Sequence, residues 1–334
     1  MARANVEIPS RREARTLILQ PVALTSHTAP LTPAQAERLR ELLEERGYEF
    51  EKKEHTLYAA KKGKLNVSVY AKGPKVLIQG KETEDFIRFL LEPEILGEAR
   101  LGYEEELDPE MYAPHFGIDE SGKGDYFGPL VIAGVYTDAA VARTLKAAGV
   151  MDSKRIASAK RIHELAEKIR AVPGIATSVV AIGPERYNEM FASFGNLNRL
   201  LAWGHAKVIA NLAEQRPACP RALSDQFARP EVLARALKQA KVEIELQQRT
   251  KGESDIAVAA ASILARERFV DWMEKTSKAG GVLLPLGASA AVIEAAREIV
   301  TKHGTQALAK VAKLHFKTTA SVNGDSNVSG MDSA

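Results

Sequence analysis

The sequence predicts an α/β protein in which a small α+β unit precedes a larger layered domain. Three observations carry this reading. The first hundred residues run strand, helix, strand meander, helix. An acidic stretch bearing prolines follows. Beyond it, short apolar strands alternate with longer helical patterns.

The first unit spans residues 1–101. It opens with an apolar strand at 16–22 and then Thr32-Pro33, an N-cap with proline at the first helical position. The helix that follows carries Ala36, Leu39, Leu42 and Leu43 on one face and Glu41, Glu44 and Glu45 on the other, and Gly47 stops it. Strands are expected at 48–53, 56–61, 65–70 and 75–79, punctuated by Lys62-Gly63 and Gly73-Pro74, and a helix at 83–91 closes the unit. Residues 102–114 read as a linker. In the main domain, 115–319, strands are expected at 115–119, 130–137, 177–182, 222–224 and 242–246. Helices are expected at 158–170, 197–213, 254–275, 289–303 and 305–313. Residues 320–334, rich in Ser, Asn and Gly, read as a disordered tail.

Composition narrows the function classes. At 334 residues there is length for a core in each of two domains. A single cysteine, Cys219, rules out a disulfide within the chain and a zinc site built from several thiolates. The amino terminus is polar and Arg-rich without an apolar run, unlike a secretory leader, and no stretch nears the roughly 18 apolar residues of a membrane span. A cytoplasmic monomer without a membrane partner is the expectation. The net charge of +3 permits a nucleic-acid partner without requiring one.

Chemistry concentrates in residues 115–130, where a strand ending in Asp119-Glu120 runs into the glycine-rich turn Gly122-Lys123-Gly124. A phosphate-binding P-loop fits poorly. The Ser or Thr that would follow the lysine is Gly124, and Tyr126-Phe127-Gly128-Pro129 does not start a helix. Two readings stay open on these residues alone: a solvated hairpin turn, and a carboxylate metal site. Strand alternation sends Asp119 and Glu120 to opposite faces, so one of them turns toward packed structure, where an unpaired carboxylate is costly. A divalent-cation site gathers further acids from elsewhere in the chain. Asp225, at the end of a short strand, is one such candidate. Glu253 and Asp255, just before an alanine-rich helix, are others, although a carboxylate there is also a plain cap. The run Ala259 to Ser262 lets that helix approach a sheet closely.

The segment Gly117-Ile-Asp-Glu-Ser-Gly-Lys-Gly-Asp-Tyr-Phe-Gly-Pro-Leu130 resembles the signature of type 2 ribonucleases H, specifically bacterial ribonuclease HIII. Further matching blocks follow in the family's order: Asp152-Ser-Lys154, Tyr187-Asn188, Asn196-Leu-Asn198, Leu201 through His205, Asp225-Gln-Phe227, Glu253-Ser254 with the helix to Arg266, Leu284 through Ala288, and Lys313 through Phe316. The resemblance implies a ribonuclease H-like fold, a mixed central sheet with flanking helices. Ahead of it comes an N-terminal domain like half of a TATA-box-binding protein.

It also implies an endonuclease that cuts the RNA strand of RNA/DNA hybrids with two Mg²⁺ or Mn²⁺ ions, leaving 5′-phosphate and 3′-hydroxyl ends. Its catalytic and metal-binding residues would be Asp119, Glu120, Asp225 and Glu253. Ribonuclease HII relatives place an Asp in the last position, which makes Asp255 the rival to Glu253. Gly122, Lys123 and Gly124 would contact the strand being cut, and Lys154 would hold phosphate or pair with a nearby acid. Cleavage at single embedded ribonucleotides, as in ribonuclease HII, and a hybrid-binding protein without activity are the alternatives. The intact acids argue against the second. The tyrosine that ribonuclease HII uses at RNA–DNA junctions has no evident counterpart, since Leu284 to Ala288 stands in its block.

Other polar positions take structural readings. His315, beside Phe316, is expected to be structural, Asn196 and Asn198 to cap the following helix, and Leu201 and Trp203 to lie on its buried face. In the first unit, lysines from Lys52 to Lys81 crowd the meander with Tyr58 and Tyr70 among them. That pattern suits either a solvated sheet or a nucleic-acid face.

Overall fold

The computed structural model describes residues 24–97, 108–150, 156, 158–250 and 252–323, without the side chains of Glu253 and Asn323. The strand expected at 16–22 and the candidate Lys154 lie outside these residues. Among the described residues, no helix is long and apolar enough to cross a membrane.

The first unit is an antiparallel sheet with helices packed on it. β1 (Ser26–Pro30), β2 (Glu49–Glu51), β3 (Thr56–Lys62), β4 (Leu65–Tyr70) and β5 (Lys75–Gln79) pair in the order β1-β5-β4-β3-β2. Helix α1 (Pro33–Glu45) starts with a reciprocal capping box, Thr32 accepting from Gln35 N while the Gln35 side chain accepts from Thr32 N. Its expected apolar face is the buried one, Leu39 and Leu43 packing with Val67, Val76 and Ile78. The second helix begins as α2 (Thr83–Phe86) and widens into a π-helical run, Ile87–Leu96, that contains Pro93. Tyr58 does not belong to the free sheet face: its hydroxyl donates to Ala36 O of α1 at 2.6 Å.

The second sheet is mixed, as the resemblance implies. β6 (His115–Ser121), β7 (Leu130–Thr137) and β8 (Ala176–Ile182) are antiparallel neighbours. β9 (Arg221–Asp225) lies parallel to β6, and β10 (Glu245–Arg249) parallel to β9, giving the order β10-β9-β6-β7-β8. β10 begins three residues later than the strand expected at 242–246. Val242 N is still engaged by Leu237 O at the preceding helix end, and register with β9 starts only at Glu245 opposite Arg221.

The stretch read as linker includes a short helix, α3 (Pro109–Tyr112), with Tyr112 buried and Glu110 O accepting from Arg221. Between the strands lie α4 (Ala139–Ala147), α5 (Ala159–Arg170), α6 (Pro184–Phe194), α7 (Leu197–Gln215) and α8 (Pro230–Gln239), and α9 (Ile256–Gly280) follows β10. Then come α10 (Ala290–His303), α11 (Ala307–Val311) and α12 (Lys317–Asn323). The last of these extends helical structure past residue 319 into the stretch expected to be disordered.

Alternation along β6 decides what each side chain meets. Phe116 and Ile118 pack into the core that includes Leu201, Val208 and Ile209 of α7. Gly117, on the opposite face, lies under α9. A Cβ built there would stand 2.3 Å from the Ala257 carbonyl carbon and Val258 N, so no other residue admits this approach. The small-residue run of α9 is buried along the same face. The sheet is thus clamped between α7 and α9.

Candidate active site

The same alternation, carried one turn of the pleat further, delivers the two acids. Asp119 follows Gly117 toward α9, where the Ser262 side chain hydrogen-bonds to it. Glu120 follows Ile118 toward α7, where His205 Nε2 lies 3.2 Å from its Oε2. The expectation of opposite faces therefore holds, and each face supplies a partner.

The third acid arrives by register. β9 runs parallel to β6 with Ile118 opposite Ser224, so the next residues, Asp119 and Asp225, stand side by side at the C-terminal strand ends. Asp225 Oδ1 accepts from Gly252 N at 2.9 Å. That bond draws the backbone of the short 3-10 turn Gly252–Ser254, including Glu253, to the edge of the acid pair. Asp255 goes elsewhere. It caps α9, its Oδ1 accepting from Ala257 N at 2.8 Å and Val258 N at 3.1 Å, and His115 Nε2 lies 3.1 Å from both of its oxygens. As His115 sits at the opposite end of β6 from Glu120, Asp255 is held away from Asp119, and its carboxylate is already occupied.

The two adjacent acids differ in electrostatics. Burial, the neighbouring Glu120 charge and Asp225 push the Asp119 carboxyl up to about 7, although Ser262 and the Glu120 backbone N–H, at 2.8 Å, work the other way. Burial alone would also raise Glu120. Hydrogen bonds and charge from His205, and then from Lys123 at 2.7 Å, overcome it and hold this carboxyl down at about 2. One acid is thus held as an anion by its hydrogen-bond partners, and its neighbour is raised by burial and by the negative charge beside it.

The turn that follows is open to solvent at its tip. Gly122 takes φ +85°, and a Cβ there would meet Pro129 O at 2.2 Å, so glycine is required. Lys123 is 42% exposed although paired with Glu120, and Gly124 has no atom within 4 Å of where a Cβ would lie. The turn is anchored from behind. Asp125 Oδ1 accepts from Gly287 N at 2.6 Å, and Lys313, fully buried, donates to Asp125 O at 2.8 Å and Phe127 O at 3.3 Å. Burial brings the Lys313 ammonium down to about 7. Two blocks that the sequence singled out, 284–288 and 313–316, therefore act as the floor of the turn. His315 stacks on Phe191 at 4.2 Å, with burial lowering its ring to about 4, in keeping with a structural role.

Several residues carry roles the sequence did not assign. His205 was visible only as the end of a matching block. It is fully buried, with Ser224 Oγ 3.0 Å from Nδ1, and this Ser224 hydroxyl donates to Asp225 O at 2.9 Å, linking Glu120 to Asp225. Phe227 packs on its ring at 4.6 Å. Two expectations are corrected. Trp203 is 37% exposed, because Leu200, Leu201, Gly204 and His205 already fill the buried face of α7. Asn196 caps α7 by accepting from Asn198 N at 2.7 Å, whereas Asn198 is inside the helix and donates that bond.

Residues 116–319 match the family model described as Ribonuclease HII. The chain is 44% identical to the ribonuclease HIII of Protochlamydia amoebophila over 86% of its own length and 94% of the relative's. The chain belongs to the ribonuclease HIII family. The ribonuclease HIII of Chlamydia abortus is 42% identical over 88% of this chain and 96% of that protein. A crystal structure of Bst-RNase HIII in complex with Mn²⁺ superposes with a TM-score of 0.63 at 28% identity, covering 91% of this chain and 99% of that one. As a member of the ribonuclease HIII family this chain is an endoribonuclease, a phosphodiester hydrolase, on a ribonuclease H-like fold.

Among the described residues, no three His, Cys, Asp or Glu side chains close tightly enough to hold an ion as a preformed cage. The donor chemistry nevertheless suits a hard divalent cation. Asp119 and Asp225 offer carboxylate oxygens at adjacent strand ends, and Mg²⁺ keeps several waters, needing few protein ligands. The Asp119 carboxyl is raised first by burial and then by the Glu120 and Asp225 charges, and a cation there would favour its ionised form.

Proposed function

We propose that this enzyme hydrolyses the RNA strand of RNA/DNA hybrids, using Asp119, Glu120, Asp225 and Glu253 as its catalytic and cation-holding acids. The observation that carries the reading is the parallel register of β6 and β9, which sets Asp119 beside Asp225 with Glu120 anchored next to them. Glu253 is preferred to Asp255 because Gly252 N ties its backbone to Asp225, while both Asp255 oxygens are engaged at the far end of β6. The Mn²⁺ in the Bst-RNase HIII complex supports a divalent cofactor here, Mg²⁺ or Mn²⁺.

Two divalent cations held by these acids would supply an activated water and charge stabilisation at the departing 3′-oxygen, leaving 5′-phosphate and 3′-hydroxyl ends. The chain's own residues set that chemistry up. His205 and Lys123 fix Glu120 as an anion in one orientation. Ser262 and the Glu120 N–H orient Asp119. Gly122 and Gly124 let the substrate backbone approach, where 2′-hydroxyls distinguish RNA from DNA, while Lys123 and Lys154 offer point charges to phosphate. Residues 1–101 form a substrate-binding domain ahead of the catalytic domain, 115–319. One polypeptide supplies every residue of the site, so a monomer suffices.

The test is cleavage of an end-labelled RNA strand annealed to DNA, with Mg²⁺ and with Mn²⁺, beside a DNA duplex holding one ribonucleotide. Cutting of the continuous hybrid to 5′-phosphate products is expected, and the Asp119→Asn protein should not cut it. Undiminished cutting by that variant would overturn the assignment. Preferential cutting at the lone ribonucleotide would move the enzyme to the ribonuclease HII type.

A further inference from the structure

Beside the carboxylates, rather than over them, a groove of about 930 Å³ runs between α7 and α8. The exposed stripe of α7, Arg199, Trp203 and Lys207, forms one wall by i, i+4 spacing. Arg229 and Arg235 of the α8 segment stand in the other wall, with Glu231 the one acid among the lining residues. Four exposed cations thus face one anion, and none of the four has an ion pair or side-chain hydrogen bond among the described residues. The inner end adjoins the catalytic cluster. Ala206 follows His205, and Ala228 follows Phe227, whose ring rests on that histidine.

Unpaired cations around one exposed indole call for a polyanion with flat apolar faces. Duplex bases hide their faces in the stack and show only phosphates, which would leave Trp203 without a function. A single strand offers both phosphate and free base faces. We propose that the α7–α8 groove binds an unpaired nucleic-acid strand continuing from the hybrid, with one base stacked on Trp203 and its phosphates on Arg199, Lys207, Arg229 and Arg235. The inference rests on the ribonuclease reading for its substrate. It adds a preference for hybrids whose end carries a single-stranded tail. Stacking and phosphate contacts do not read the sugar, so DNA and RNA tails serve alike.

The experiment measures binding of the full chain, by fluorescence anisotropy in Ca²⁺ to withhold cleavage, to a blunt hybrid and to the same hybrid with a tail of about six nucleotides. The tailed hybrid is expected to bind about fivefold or more tightly, since stacking on an aromatic side chain contributes roughly that factor or more per base. Trp203→Ala should bring the ratio of the two affinities to about one, Trp203→Tyr should keep most of it, and Arg199→Glu should lower it and flatten its salt dependence. Equal binding of tailed and blunt hybrids by the unaltered protein overturns the proposal. So does a ratio indifferent to both Trp203→Ala and Arg199→Glu, or competition by poly-glutamate as strong as by a free oligonucleotide, because charge alone would then suffice. Cleavage of the blunt hybrid by the unaltered protein is scored separately. Tail preference without cleavage removes the ribonuclease reading and leaves the groove, and the reverse removes only the groove.

Discussion

At the two ends of β6 sit two buried histidine–carboxylate pairs, His115 with Asp255 at 3.1 Å and His205 with Glu120 at 3.2 Å. The first pair is closed. Both Asp255 oxygens are engaged by His115, Oδ1 also by the first N–H groups of α9, and Asp255 is 6% exposed. The second pair is open. Glu120 is anchored by His205 and Lys123, yet it sits beside Asp119, whose carboxyl is raised by burial and by the Glu120 and Asp225 charges. A buried acid whose acceptors are filled holds elements together. A buried acid in unbalanced company is where a cation and chemistry belong.

The largest expected effect lies at the open end. Asp119→Asn should lower hybrid cleavage roughly a thousandfold, with thermal stability of the metal-free protein held or raised, because a crowded charge is removed. A drop in stability that accounts for the lost activity would erase the contrast between the two ends. Next comes His205→Ala. Loss of a residue that orients a cation-holding acid costs about 10- to 100-fold in activity or metal affinity. Steady-state kinetics should show that loss in kcat, relieved in part by saturating Mn²⁺, and a loss in KM alone would contradict it.

At the closed end, Asp255→Ala should cost about 3 kcal/mol of stability, from the lost cap and the unpaired His115, as read by denaturant unfolding. The folded fraction should keep activity within a few-fold. The smallest effect is a pH dependence. A proton and a divalent cation compete for Asp119, whose carboxyl titrates at about 7. Apparent Mn²⁺ affinity should therefore fall as pH drops through 7, by up to about tenfold per unit, and level off above it. Calorimetric titrations at several pH values measure this, and a flat profile from pH 6 to pH 8 would remove Asp119 from the ligand set.

Much of the open end was legible beforehand because strand alternation and one short strand end place Asp119, Glu120 and Asp225 by local rules. The close approach of α9 was legible as well in its run of alanines, whereas the part Gly117 plays shows only in the packing. What stayed hidden was which helix lies on which face. His205 and Ser262 become partners of Glu120 and Asp119 only through the packing of α7 and α9 on opposite sides of the sheet. Trp203 was misplaced for the same reason: an aromatic residue amid apolar ones reads as core, and only the arrangement of α7 against β7 shows which stripe is left over. α8 escaped notice although Val232, Leu233, Ala236 and Leu237 recur at helical spacing behind Pro230, because ten residues give that period little room to show. β10 was displaced because its register comes from β9 and not from its own apolar residues.

The contrast between the two ends can be put to one decisive measurement, calorimetric titration of Mn²⁺ into the unaltered protein, Asp119→Asn and Asp255→Asn. Binding should be kept by the unaltered protein and by Asp255→Asn, and lost in Asp119→Asn. Binding that survives in Asp119→Asn, or disappears in a folded Asp255→Asn protein, would contradict the account.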